Sequence, residues 1–417
     1  MIAAAAAAGV AAPSAAATPG DAQRALSAWT SGHPTTSALV WRLDEAGEPT
    51  VVASYRADTP RIPASTMKLV TSAGALLQLG PTFRFTTDLV AGRDARLSAG
   101  TLTGKVYLKG AGDPLLATGG YGRNYLSGTY TPISDIAKGA RTLGIRRIRG
   151  PVIADEHLFD SRRTPPGWPS YYTSYASPLS ALATNQDYGG NGRSSYTTNP
   201  TLAAAQRLRA SLKSNGIAHA GGLTSGAAPA NARIIGTAVS PALPKILREM
   251  NLESDNFMAE TFAKDVGAYG VGRGTTAAGV AHTHDLLQRK GIVTSADTFA
   301  DGSGLSRSNR IAASSLVRLV AAADADPGWG AALLGTLAQG GQGTLIHRFT
   351  SGVATKRVRA KTGYINNVSA LAGRVVSRRG QHYAFAFLMA TPDIGGAHAV
   401  QDKVVTLLAA GADDTTN

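Results

Sequence analysis

The sequence predicts an α/β protein in which one domain, with an antiparallel sheet flanked by helices, is split by a β-rich insertion. Three observations lead to this fold class. Strand patterns occur near both ends of the chain, helical patterns return after residue 240, and a long segment rich in Gly, Pro and Ser lies between. A chain of 417 residues can form two or three domains. We expect the split domain at 24–86 and 240–417 and the inserted domain at 87–239.

The first elements predicted are a β-hairpin and a helix. Leu39, Trp41 and Leu43 alternate with other residues, 44–48 supply a turn, and a second strand continues to residue 56. Apolar residues at helical spacing then run from 64 to 79, between Pro63 and the helix-stopping Gly80. This pattern predicts a helix that starts close to residue 64.

The later elements follow from the same signals. Residues 87–239 have the pattern of short strands and turns, and helices are predicted at 242–250, 256–266 and around 281–290, the second with Asn256 as a candidate N-cap. Strands are predicted at 358–362, 368–377 and 382–390, with a turn at 378–380 between the last two. A helix from 396 to 410 closes the predicted domain.

The N-terminal residues and the composition bear on location. Residues 1–17 are mostly Ala and resemble the later part of a secretory signal, so we expect 1–23 to be a signal-like or flexible N terminus. No segment has about 20 strongly apolar residues, and a membrane-spanning helix is therefore not expected. The absence of cysteine excludes disulfides, thiolate zinc sites and cysteine nucleophiles.

The net charge of +14 predicts attraction to a polyanion. Basic clusters lie at 146–149 and 356–359, but aromatic residues are not interleaved with them and no nucleic-acid-binding module is recognisable. An anionic cell-wall polymer is therefore favoured over nucleic acid. For any single cluster, solvated surface arginines are the simpler interpretation.

Ser65 and Lys68 form the first candidate catalytic pair. A spacing of three residues at the start of a helix puts the hydroxyl and the amine on one face. Lysine acts as a base when its pKa is lowered, and both burial and the positive end of a helix dipole act in that direction. The alternative is two unrelated surface residues.

Two further motifs favour catalysis over that alternative. Ser254-Asp255-Asn256 precedes a predicted helix, and Lys361-Thr362-Gly363 lies on a predicted strand. Each of the three patterns occurs once, in the order of the signature of active-site serine penicillin-interacting enzymes. The separations leave room for the insertion and then for the middle helices.

More of the chain resembles the low-molecular-mass class C penicillin-binding proteins, the D-alanyl-D-alanine carboxypeptidase/endopeptidase family. The similar segments are Met250-Asn251, Ala259-Glu260, Asp301-Gly302-Ser303-Gly304-Leu305-Ser306, Gly343-Thr344-Leu345 and 368–373, with Gly112-Asp113-Pro114, Asp155 and 175–182 in the insertion. The resemblance covers about 38–390. It implies a penicillin-binding (transpeptidase/β-lactamase-like) domain for the split part of the chain.

The resemblance also implies roles for the catalytic residues. Ser65 would attack the carbonyl of the penultimate D-alanine of a peptidoglycan stem peptide, and neutral Lys68 would take the hydroxyl proton. Ser254 would relay a proton to the leaving amine. Asn256 would hold the peptide carbonyl or Lys68, and Lys361 would supply positive potential near Ser254.

The strand motif would bind the substrate. By resemblance, Thr362 bonds the terminal carboxylate, and the backbone N–H groups of Ser65 and Tyr364 form the oxyanion hole. Gly363 and Tyr364 complete the substrate-binding strand. The family usually has Ser or Thr where this chain has Tyr364. No metal and no organic cofactor is implied.

The implied partners are the peptidoglycan stem peptide and β-lactam antibiotics, met outside the cytoplasm in the cell wall or periplasm. Carboxypeptidase and endopeptidase action both stay open. The alternatives are a β-lactamase or an esterase on the same scaffold, and a cell-wall-binding protein that no longer turns over substrate.

Overall fold

The computed structural model describes residues 20–44, 48–189 and 192–412. Residues 45–47 of the turn predicted at 44–48, and residues 1–19 of the signal-like N terminus, lie outside the described residues. The helices are α1 Asp21–Thr30, α2 Met67–Leu79, α3 Gly119–Tyr125, α4 Ser134–Thr142, α5 Pro200–Ser214, α6 Leu243–Glu253, α7 Asn256–Val271, α8 Thr276–Arg289, α9 Ala313–Asp324, α10 Trp329–Gly335 and α11 Ile394–Ala410.

Most of the strands are short. In chain order they are β1 Thr36–Leu43, β2 Thr50–Tyr55, β3 Thr86–Ala91, β4 Arg96–Ser98, β5 Thr101–Thr103, β6 Val106–Lys109, β7 Leu116–Ala117, β8 Thr131–Pro132, β9 Arg147–Arg149, β10 Val152–Asp155, β11 Ala218–His219, β12 Leu223–Ser225, β13 Arg233–Val239, β14 Ala338–Gln339, β15 Val358–Ile365, β16 Val368–Val376 and β17 His382–Ala390.

The described residues form two compact units. The first comprises those up to Gln78, Met250–Ser254 and those from Val280 onward, and the second comprises Leu79–Glu249 and Asp255–Gly279. Each unit has its own sheet and its own apolar core.

The first unit is built on a six-stranded antiparallel sheet in the order β14-β15-β16-β17-β1-β2. On β17, Tyr383, Phe385, Phe387 and Met389 alternate onto one face and join the core formed with α1 and α11. The residues between them are small or aliphatic and point to the other face, where α9 contacts β17 and β1. This alternation fixes the register, because a slip by one residue would exchange the two faces.

The second unit contains a five-stranded sheet, β12-β10-β6-β3-β13, and a four-stranded sheet, β11-β9-β5-β4. Helices α4 and α5 pack on the β-rich part through Ile136, Ala140, Ala204, Leu208 and Leu212. The interpretation of 87–239 as short strands and turns alone is wrong on this point, because it overlooked these two helices and the short helix α3.

Elsewhere the predicted elements are present. The first hairpin is β1 and β2, the helix after Pro63 is α2, the middle helices are α6, α7 and α8, and the closing elements are β15, β16, β17 and α11. Helices α1, α9 and α10 were not predicted. Among the described residues, no helix is long and apolar enough to cross a membrane.

Candidate active site

Ser65 lies in a tight turn that leads directly into α2. The turn is a 3-10 helix, Ala64–Thr66. The Pro63 carbonyl accepts hydrogen bonds from the Thr66 backbone N–H at 3.2 Å and from its hydroxyl at 2.7 Å. Ala64 has a left-handed backbone with φ 47°, a conformation that costs a residue with a side chain free energy and persists only where its surroundings impose it. The turn presents a half-buried Ser65 at the start of the helix.

Lys68 lies one helical turn after Ser65 and is completely buried. Its Nζ donates to Ser65 Oγ at 3.1 Å and to the Ser303 carbonyl at 2.9 Å. A buried amine within hydrogen-bonding distance of a hydroxyl can act as a general base for that hydroxyl. The contact predicted from the spacing of Ser65 and Lys68 is therefore present.

The loop that supplies the Ser303 carbonyl is organised by one buried carboxylate. Asp301 accepts hydrogen bonds from the backbone N–H groups of Gly304 at 2.8 Å and Ser306 at 2.6 Å, and from Asn309 Nδ2 at 2.8 Å. In the sequence, 301–306 stood out only as a segment similar to the family, and the contact of the Ser303 carbonyl with Lys68 was not predicted. An acid followed by small residues was the available signal.

The same loop holds α2 through main-chain atoms. The Gly302 carbonyl accepts a hydrogen bond from the Thr71 hydroxyl at 2.6 Å. A Cβ added at Gly304, where φ is 87°, would lie 1.8 Å from the carbonyl oxygen of Ala64. Only glycine allows this close approach of the loop to the turn that carries Ser65.

Lys361 is a second buried amine of the first unit. It is fully buried on β15, and its Nζ donates to the Thr362 carbonyl at 3.0 Å. Burial, and after it the positive charge of Lys68, hold the pKa of Lys361 well below its usual range. Since burial penalises both charges and they repel each other, the pair disfavours the state in which both amines are protonated.

Gly363 brings β15 against the turn that carries Ser65. A Cβ at this position would lie 2.6 Å from the carbonyl oxygen of Pro63 and 3.1 Å from the backbone nitrogen of Thr66. Any side chain would therefore push the strand away from the turn. Thr362 is half-buried beside it, and Tyr364 is 60% exposed.

Ser254 follows the end of α6 with a left-handed backbone, φ 54°. The preceding residues of its segment are fixed within the first unit. Buried Asn251 donates from Nδ2 to Ser72 Oγ at 3.0 Å and to Thr336 Oγ1 at 2.9 Å. A Cβ at Gly343 would lie 2.7 Å from the Leu252 carbonyl, so the loop at Gly343 also supports this segment.

Asn256, the third residue of the middle motif, belongs to the second unit. Its Nδ2 donates to the Tyr175 carbonyl at 3.0 Å. The expectation that Asn256 caps the helix is wrong: Asp255 is the N-cap of α7, and its carboxylate accepts from the Met258 N–H at 2.8 Å. Asn256 is instead the first helical residue, which leaves its amide for the contact with Tyr175.

The first unit thus brings Ser65, Lys68, Lys361 and Gly363 together. Ser254 lies in the same unit at the end of a separately anchored segment. Within the described residues, no group of three or more His, Asp or Glu side chains is arranged to hold a metal ion.

A family profile matches nearly the whole chain. The profile is that of the D-Ala-D-Ala carboxypeptidase 3 (S13) family, and it covers residues 25–191 and 184–410. The chain belongs to this family. The relationship predicted from the three motifs and their order is thereby confirmed, as is the class of enzyme, a serine-type D-Ala-D-Ala carboxypeptidase.

Relatives within the family are similar over most of their length. The chain is 32% identical over 364 residues to a carboxypeptidase of Mycobacterium tuberculosis. The alignment covers 84% of this chain and 76% of the relative. It is 28% identical over 428 residues to a D-alanyl-D-alanine carboxypeptidase of an Actinomadura species, with 84% and 77% covered.

Solved structures share the fold. Penicillin binding protein 4 of Haemophilus influenzae superposes with a TM-score of 0.75 at 22% identity, covering 92% of this chain and 98% of that one. A peptidoglycan endopeptidase of Bdellovibrio bacteriovorus gives a TM-score of 0.56 at 18% identity, with 90% and 92% covered. The predicted α/β penicillin-binding fold with a β-rich insertion is confirmed.

Proposed function

We propose that this S13-family protein removes the terminal D-alanine from peptidoglycan stem peptides through an acyl-enzyme on Ser65. The observation that carries the proposal is the 3.1 Å hydrogen bond from Lys68 Nζ to Ser65 Oγ, with the lysine buried and a second buried amine, Lys361, close enough to act on it electrostatically. A hydroxyl so paired is activated by loss of its proton to the amine.

In the acylation step, Ser65 Oγ attacks the carbonyl carbon of the penultimate D-alanine while its proton passes to neutral Lys68. Burial of both amines and their mutual repulsion disfavour the state in which both are protonated; we assign the neutral form to Lys68, as the base, and the proton to Lys361. The negative charge that develops on the carbonyl oxygen is received by the backbone N–H groups of Ser65 and Tyr364.

Collapse of the tetrahedral intermediate breaks the C–N bond. The proton held by Lys68 passes through the Ser254 hydroxyl to the departing amine of D-alanine, and the acyl group stays on Ser65. The role of Asn256, expected to hold the peptide carbonyl of the substrate or Lys68, stays a prediction. Water then attacks the ester, releases the shortened stem peptide and restores the Ser65 hydroxyl.

Recognition of the terminal carboxylate falls to β15. The Thr362 hydroxyl donates to the carboxylate, and Lys361 adds positive potential. Gly363 lets the strand approach the nucleophile, and Tyr364 follows on the exposed side. An endopeptidase reaction would use the same acylation chemistry with a longer leaving group.

We also propose export to the cell wall or periplasm, with stem peptides and β-lactams as partners. β-Lactams acylate the same serine because their strained amide presents a carbonyl to it. The domain bounds 24–86 with 240–417, and 87–239, stay predictions that limited proteolysis with mass mapping would test.

The test is labelling of the folded protein with a fluorescent penicillin, followed by intact mass and peptide mapping. We expect one stable adduct, on Ser65, and release of D-alanine from a D-Ala-D-Ala stem peptide. An adduct elsewhere would overturn the nucleophile assignment. Rapid loss of the adduct would indicate a β-lactamase, and no adduct with no D-alanine released would indicate a wall-binding protein without turnover.

A further inference from the structure

The second unit contains a cleft lined by cationic side chains. In sequence, these residues lie far from the three catalytic motifs. The cleft has a volume of about 640 Å³ and is lined by Arg147, Arg149, Arg209, Lys213 and His219, together with small or apolar residues. No Asp or Glu lines it. Among the described residues, the four long cationic side chains make no hydrogen bond and no ion pair with protein groups.

Two elements of the fold bring these cations together. Arg147 and Arg149 are two apart on β9, so both project from the face opposite to buried Ile148. Arg209 and Lys213 are four apart on α5 and therefore share one helix face. Unpaired like charges held on neighbouring elements repel each other, and an anion in the cleft would remove that repulsion.

The fifth basic residue contributes shape more than charge. His219 Nε2 donates to the Gly150 carbonyl at 3.0 Å, which leaves Nδ1 as a buried atom with no partner among the described residues. Burial and the nearby Arg209 lower the pKa of His219. The ring is therefore neutral at pH 7, and the positive charge of the cleft comes from the two strand arginines and the two helix cations.

We propose that this cleft binds an anionic phosphodiester polymer of the cell wall. The net charge of +14 predicts attraction to such a polymer, and the cleft supplies a place for it with up to four phosphate contacts. No Phe, Tyr or Trp is among the residues that line the cleft. A cleft without aromatic rings offers nothing on which bases could stack, and this favours a wall polymer over single-stranded nucleic acid.

Salt dependence measures how many phosphates the cleft holds. For a flexible anionic chain, the logarithm of the binding constant falls with the logarithm of salt concentration with a slope of about −0.7 per neutralised phosphate. Four contacts give a slope of about −2.8, so raising salt from about 50 to about 200 mM should weaken binding about 50-fold. With two contacts the same change in salt should weaken it about 7-fold.

The experiment uses the full chain and a fluorescent poly(glycerol phosphate), with binding read by anisotropy. We expect Arg147→Gln/Arg149→Gln to weaken binding and to reduce the slope by about half. The matched control is Arg93→Gln/Arg123→Gln, which removes the same charge from exposed positions of the second unit outside the cleft. The control should keep the parental slope.

Three results would overturn the proposal. Equal losses in the cleft and control variants would show attraction to overall charge alone. A poly-glutamate of equal charge bound as tightly as the phosphodiester would remove the phosphate assignment. Tighter binding of single-stranded DNA would make the cleft a nucleic-acid site.

The proposal is separable from catalysis. The cleft variant should release D-alanine from a small soluble peptide at the parental rate, since none of its residues belongs to the proposed catalytic machinery. If the parent protein proves inactive, the proposed function fails while the binding measurements still decide the role of the cleft.

Discussion

At the scale of single residues, Lys68 is the side chain on which the proposed chemistry depends. We expect Lys68→Ala to slow acylation by penicillin by a factor of about 10² to 10⁴, the usual contribution of a positioned general base. The measurement is the rate at which the covalent adduct appears, read by intact mass spectrometry on samples quenched at set times.

Thr71→Val provides the control for Lys68→Ala. It removes the 2.6 Å hydrogen bond to the Gly302 carbonyl from the same helix but leaves the amine in place. Parental acylation by a folded Lys68→Ala protein would mean that another group is the base, whereas equal losses in both variants would point to the loop at 301–306 rather than to the amine.

Tyr364 departs from the family pattern, and its side chain is exposed on β15. A phenol begins several bonds further from the backbone than the hydroxyl of Ser or Thr and places its oxygen elsewhere. We predict that Tyr364→Thr raises kcat/KM on a D-Ala-D-Ala peptide by about one to two decades, the value of one hydrogen bond to a charged group made in the transition state. A substrate without a free carboxylate should gain much less, and equal gains on both would disprove the explanation.

At the residue scale, the sequence allowed one contact between two side chains to be predicted. The contact of Ser65 with Lys68 follows from their spacing on a helix. The hydrogen bond from Lys68 to the Ser303 carbonyl could not be predicted, because every residue has a backbone carbonyl and the residue type therefore does not identify the acceptor. Asp255 and Asn256 are both good N-caps, and their order in the sequence did not decide between them.

At the scale of elements, the close packing of β15 against the turn at Ala64–Thr66 requires a glycine, Gly363, at the point of contact. Gly363→Ala places a Cβ within 2.6 Å of the Pro63 carbonyl, so strand and turn must separate. We expect this variant to lose most of its acylation rate while it retains its secondary structure by circular dichroism. Gly335→Ala is the control, because a Cβ there meets nothing within 4 Å; parental acylation by Gly363→Ala would refute the steric argument.

The elements most easily predicted were those with strong periodicity between clear stop signals. Strand β17 was predicted with its observed bounds, because apolar residues run without interruption from Tyr383 to Ala390 shortly after the turn at 378–380. Helix α5 was missed although Asn199 and Pro200 mark its start, since the Gly- and Ser-rich texture around it indicated loops. The pairing order of the sheets depends on contacts between distant segments, which local patterns do not specify.

At the scale of the whole molecule, the second unit carries buried carboxyl groups that oppose its stability, and Asp113 and Asp265 are two of them that interact with each other. Asp113 and Asp265 are both buried, and Asp265 has no hydrogen-bond partner for either oxygen among the described residues. Burial raises the pKa of Asp113 to about 6, although the hydrogen bond from the Leu115 N–H acts to lower it. Burial, and then the charge of Asp113, raise the pKa of Asp265 well above its usual range.

These groups predict a fall in stability as pH rises. Asp113 keeps its proton in the folded state at pH values where the unfolded chain, with a pKa of 3.8, has lost it. The free energy of unfolding therefore declines between pH 3.8 and about 6, by about 3 kcal/mol for this group alone. Asp113→Asn mimics the protonated side chain and should remove that decline.

Denaturant unfolding at several pH values measures the effect as the difference between parent and variant. Asp94→Asn, at an exposed position of the same unit, is the matched control and should leave the pH dependence unchanged. A parent and an Asp113→Asn protein with parallel pH profiles would show that burial of this carboxyl costs the fold nothing.

The close backbone contacts around Ser65 bear on how resistance to an antibiotic could evolve. Gly304 and Gly363 each approach a carbonyl of the nucleophile's own turn, so every one of the other amino acids at either position adds a clash. In a saturation library selected for survival under penicillin, we expect neither glycine to yield a variant that escapes acylation and still trims stem peptides. We expect escape at exposed positions such as Tyr364, where a side chain can change without moving the backbone that holds the nucleophile.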